Sequence, residues 1–118
     1  MTYVDGFVIP IPTKNLAAYR KVARAAGKVW MDCGALSYTE AVGDDLKPKY
    51  GALFPSMTKM KKNETVAFSF IVYKSRKHRD SVNAKVMKDP RMAKLMKAPM
   101  LFDLKRMAFG GFKTIVGM

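Results

Sequence analysis

A chain of 118 residues and 13.2 kDa is the size of one domain, and its 49% hydrophobic content excludes a disordered chain. No apolar run reaches the ~18–20 residues that cross a bilayer. The net charge of +13 lies wholly in residues 46–118, because residues 1–45 balance five bases against five acids; such a surplus attracts anions or solvates a surface, and reads no nucleotide sequence.

Residues 2–12 alternate as a strand, with Tyr3, Asp5, Phe7, Ile9 and Ile11 on one face and Val4, Gly6, Val8 and Pro10 on the other. Pro10 and Pro12 are expected to end its ladder, since neither donates a backbone hydrogen bond. The same segment lacks a basic n-region and carries Asp5, unlike a secretory signal. Residues 14–33 switch to helical period, with Leu16, Tyr19, Ala23, Ala26, Trp30 and Cys33 on one stripe. Thr13 is the expected N-cap, and Gly34 the expected residue of positive φ past the C-terminus. A single cysteine makes no internal disulfide, which fits a reducing cytoplasm.

Residues 35–42 read as a second strand, with Leu36, Tyr38, Glu40 and Val42 on one side. Glycines and prolines break any period from 43 to 64, save a short helical turn over Pro55–Met60. Such a long stretch often serves as a binding loop or lid. Val66–Lys74 is the third strand, and Ser75 caps a helix whose stripe is His78, Val82 and Val86. Asp89 and Pro90 start a short helix to about Lys97, with Met92, Leu95 and Met96 inward. Residues 104–116 return to strand character, with a bulge or close backbone approach at Gly110-Gly111.

This order is the β-α-β-β-α-β, ferredoxin-like pattern: an α+β fold, one domain over 1–118, with an antiparallel sheet and helices on one face. Three strands are apolar on both faces, whereas a sheet face in water should alternate cleanly. The uncovered face is therefore expected to meet a second copy, as a homodimer.

The segments YVDGFVIPIPTKNLAAYR, GKVWMDCGAL, VGDDLKP, ETVAFSFIVYKSRKHRDSVNAKVMKDPRM and KRMAFGGFK resemble the bacterial YbaA-like family, a family of unknown function. The resemblance runs nearly end to end and implies a ferredoxin-like subunit pairing into a dimeric α/β barrel. Relatives in that superfamily include small monooxygenases, isomerases and haem-degrading enzymes. Some similar proteins carry a label connecting them to signal-recognition-particle RNA. The resemblance supplies no catalytic residue.

One His and one Cys cannot build a His/Cys zinc site, and no metal or cofactor motif is present. His78 is the candidate catalytic group, in the first turn of its helix beside Arg76, Lys77 and Arg79, where an imidazolium is disfavoured. Asp5, Tyr38, Glu40, Tyr73 and His78 are the candidate ligand-binding residues. The plainer readings are solvation at a sheet edge for Asp5 and Glu40, and packing for the tyrosines and His78. Lys74, Arg76, Lys77 and Arg79 are the candidate anion or RNA contacts, with a solvated face as the plainer alternative. Phe68 and Phe70 match part of an RNA-recognition aromatic signature, but are expected to pack against the helices. The expected function is a cytoplasmic homodimer, with no cofactor, whose barrel cavity binds a small, mostly apolar ligand, a site that could support cofactor-free oxidation or isomerisation; whether it is an enzyme is left open by the sequence. The alternatives are a basic RNA-binding module and a structural or regulatory dimer without ligand.

Overall fold

A computed structural model describes all 118 residues. The elements are β1 (Tyr3–Pro12), α1 (Leu16–Asp32), β2 (Ser37–Val42), α2 (Phe54–Met57), β3 (Glu64–Tyr73), α3 (Arg76–Lys88), α4 (Pro90–Met96) and β4 (Ala108–Lys113). They form one antiparallel sheet of order β2-β3-β1-β4. This is the ferredoxin-like α+β arrangement expected from the order of periods. Both central strands are ten residues long, and both edge strands are six.

Contrary to expectation, β1 runs through both prolines, with Pro10 opposite Val66 and Pro12 opposite Glu64. The reason is parity. The Thr13 amide donates to Asn63 of the β3 side, so odd-numbered amides of β1 point that way and even-numbered positions point toward β4. Pairing with β4 stops at Val8, so neither proline removes a ladder bond.

The caps divide likewise. Ser75 Oγ accepts from the His78 amide and Asp89 accepts from the Arg91 amide, and Gly34 takes φ 116°, all as the sequence indicates. Thr13 does not cap α1; it opens a 3-10 turn over Thr13–Asn15. Met96 turns outward at 69% exposed, while Met92 is buried. The last strand is shorter than its pattern, beginning after a second 3-10 turn at Leu104–Arg106. Gly111 is part of no bulge: a Cβ there would strike the Tyr3 ring.

The larger correction concerns the faces of β3. Ala67, Ser69, Ile71 and Tyr73 are the buried set, and Phe68 lies 46% exposed on the opposite face with Phe70 beside it. Ile71 and Tyr73 of that set build the core under α1, α3 and α4 with Val29, Val82, Val86 and Met92. Ile9, Ile11 and Ala67 form a second cluster, closed by Tyr19, Phe102 and Met107. Helix α1 comes down so closely on β2 that a Cβ on Gly27 would sit 2.6 Å from Tyr38 Cδ1. On the opposite face Phe54 of α2 packs at 6.4 Å from Phe68, and covers only one end of that surface.

Candidate functional site

Between α1 and the β2 edge lies a cleft of about 700 Å³. Leu16, Ala17, Ala23, Ala41, Val42 and Ala67 make apolar walls, and Tyr19, Tyr38, Glu40, Arg20 and Arg24 supply its polar groups. The small side chains of α1 open it, because alanine at 17 and 23 leaves space where a larger residue would fill. Glu40 reaches the helix side of the sheet from β2, paired across from Ser69.

Glu40 is gripped at both oxygens. Tyr19 donates to Oε1 and Tyr38 to Oε2, each at 2.7 Å. Burial, reinforced by the neighbouring carboxylate, drives both phenols far above their ordinary pKa, so they remain donors at any working pH. The Tyr38 ring is held in turn by Gly27 below and by Trp30 at 6.1 Å. Each oxygen of Glu40 keeps one lone pair for a further donor. A preorganised acceptor in an apolar recess can orient a ligand that carries a hydroxyl or N–H group.

The other candidates lie elsewhere. Asp5 is 4% exposed on the central strand β1, not solvated at an edge as its plainer reading held. Its Oδ1 accepts from Arg79 Nη1 at 3.0 Å. Arg79 also lies 5.0 Å over the Tyr3 ring and beside Asp80, whose carboxylate is 2.9 Å from Nε without hydrogen-bond alignment. Tyr73 is fully buried and shares the Asn83 amide oxygen with Trp30 Nε1. His78 Nδ1 accepts the Lys74 amide at 2.9 Å, and its ring meets Tyr73 edge-on. That leaves His78 closing the β3–α3 corner, away from the cleft. Of the basic candidates, Lys74, Arg76 and Lys77 are exposed, whereas Arg79 is committed to carboxylates.

Sequence reasoning brought Tyr38 and Glu40 forward and missed Tyr19, Arg20 and Arg24. Tyr19 was legible only as a member of the α1 stripe. Its position one helix turn from Ala23, opposite a strand carboxylate, needed the packing of α1 on β2.

A second concavity, of about 430 Å³, lies on the open sheet face between Val4, Val8, Phe68, Phe70 and Phe112. The open face takes alternate residues of every strand: Val4 to Val8 of β1, Ser37 to Ala41 of β2, Val66 to Val72 of β3 and Ala108 to Phe112 of β4. None of those alternate residues is charged, in a chain of net charge +13.

Comparison with known proteins places this geometry. The model of a family described as "Protein of unknown function (DUF1428)" matches residues 2–104. The uncharacterized protein YbaA of Escherichia coli K12 is 40% identical over 116 residues, covering 98% of each chain, as is its Shigella flexneri counterpart. Among solved structures, a putative antibiotic biosynthesis monooxygenase from Nitrosomonas europaea superposes with TM-score 0.61 at 11% identity, over 97% of this chain and 90% of that one. Rv0793 from Mycobacterium tuberculosis gives TM-score 0.61 at 13% identity, over 99% and 98%. At such identities the structural likeness is one of fold.

Proposed function

The chain belongs to the DUF1428 family, and from that premise we propose that it is a cytoplasmic homodimer in which each copy binds a small, mostly apolar ligand in the cleft between α1 and β2. One observation carries the reading: an apolar recess of ligand size holds a carboxylate fixed at both oxygens by buried tyrosines. The ligand's apolar body lies against the alanines and Val42, and its donor group meets Glu40. The recess is formed within one copy, so the ligand sits beneath α1 rather than between two sheets.

The neutral fluorophore N-phenyl-1-naphthylamine, an apolar molecule with one N–H, tests this directly. It is expected to bind with one site per chain. Ala17→Trp, which fills the cleft from its exposed rim, should abolish the fluorescence gain, and Glu40→Gln should weaken it several-fold. Unchanged binding in Ala17→Trp would sink the proposal.

The second copy is assigned to the open sheet face. Phe68 and Phe112 are 46% and 63% exposed there, and a contiguous uncharged surface of this kind is the mark of an interface. Nucleic acid is a poorer occupant, because tracking phosphates requires cations beside the stacking rings and this face has none. Light scattering should give twice the 13.2 kDa chain mass at micromolar concentration. Phe68→Asp with Phe112→Asp should give the monomer, and a monomeric wild type would remove the interface.

A further inference from the structure

The unpaired guanidiniums of the cleft say more about its ligand. Arg20 and Arg24 both line it, and a separation of four residues puts them on one face of α1. Elsewhere in the chain arginines near acids are bound by them: Arg79 by Asp5, Arg91 by Asp32 and Asp89, and Arg106 by Glu64 and Asp103. Arg20 and Arg24 make no ion pair and no side-chain hydrogen bond. The acid nearest in the cleft, Glu40, is turned to Tyr19 and Tyr38 instead. Two free cations thus share an apolar recess with a carboxylate that neutral donors hold at both oxygens.

We infer that the ligand is a small amphipathic organic anion, its carboxylate or sulfonate at Arg20 and Arg24 and its hydroxyl or N–H at Glu40. The inference rests on the cleft being the binding site. Guanidinium pairs grip such groups by charge-assisted, planar hydrogen bonds. The tyrosine bonds engage both oxygens of Glu40, which makes no ion pair with the α1 arginines, and so leave the guanidiniums open to an anion. A ligand with an apolar body alone would leave both guanidiniums without use, and a cationic ligand would meet them as like charges.

A matched pair of probes separates this inference from the reading beneath it. N-phenyl-1-naphthylamine and 8-anilino-1-naphthalenesulfonate share both ring systems and the N–H, and differ by one sulfonate. The sulfonate is expected to bind about ten-fold tighter, from two partly exposed charge pairs, with the advantage shrinking as salt rises. Arg20→Gln with Arg24→Gln should erase that advantage, so that the two probes bind equally. Arg76→Gln with Lys77→Gln, which removes equal charge outside the cleft, should preserve it. Both probes binding equally, and both lost in Ala17→Trp, would overturn the anionic ligand while leaving the cleft as the site. A preference that survives the Arg20/Arg24 change, or disappears with Arg76/Lys77, would overturn it too. Indifference of both probes to Ala17→Trp would overturn the cleft and the anion together. Ala17, Arg20 and Arg24 lie on α1 and Arg76 and Lys77 on α3, and all five are exposed, so the variants should melt with the wild type.

Discussion

Arg79→Met is expected to lower stability by about 3 kcal/mol, the low end for a broken buried pair. Asp5 then stays in the centre of the sheet with its side chain 5% accessible and its cationic partner gone. The low end applies because the Arg79 side chain keeps 17% of its surface in solvent, where water screens part of the attraction. Burial works against the guanidinium, and Asp5, Tyr3 and Asp80 together outweigh it, so its pKa is raised. For a domain this size the loss corresponds to about 10 °C in Tm, read by thermal or urea denaturation. Asp5→Asn combined with Arg79→Met should recover part of it, since no unpaired charge remains inside. A loss under about 1 kcal/mol in the single variant, against the cost quoted for buried pairs, would mean that the pair is solvated in solution.

Acid is expected to unfold the chain through Glu64. Two hydrogen bonds from Arg106 at 2.7 Å each, opposed by burial and joined by the Lys61 amide, hold its pKa at about 2, below an ordinary 4.5. A depressed carboxylate contributes stability that is full above its unfolded pKa and is lost as pH falls through the folded one. The window is therefore about pH 4.5 down to about 2. Allowing for screening at the surface, the contribution is about 2 kcal/mol. The same Arg106 bonds Asp103 and the Lys59 carbonyl, which ties the segment carrying Phe102 and Met107 over Ile9 and Ile11. Denaturation midpoints at pH 6, 4 and 3 should fall steeply for wild type. Glu64→Gln should start lower at pH 6 and fall less. Parallel curves for the two proteins would exclude Glu64 as the group responsible.

The two pairs show where sequence reading stops. Asp5 and Arg79 are 74 residues apart, and Glu64 and Arg106 are 42 apart. No local period links either pair, and only the pairing of β1 with β3 and the path of 97–107 bring them together. Asp5 entered as a candidate ligand group or an edge charge, and no sequence feature singled out Glu64. The cleft follows the same rule. Tyr38 and Glu40 were visible as polar residues on a strand face, while Tyr19 and the two arginines entered through the docking of α1.

From the sequence alone came the order of strands and helices, the ferredoxin-like class, the caps at Ser75 and Asp89, and strands apolar on two faces. Period and capping are local properties, so they survive without coordinates. Which face of β3 is buried was a tertiary decision. Alternation says that Phe68 and Phe70 oppose Ala67, Ser69, Ile71 and Tyr73, but is silent on which set meets the helices. Residue size pointed to the phenylalanines, whereas the fold buries Ala67, Ser69, Ile71 and Tyr73. That choice leaves an uncharged aromatic face outside, and sets Glu40, Tyr19 and Tyr38 together beneath the helix.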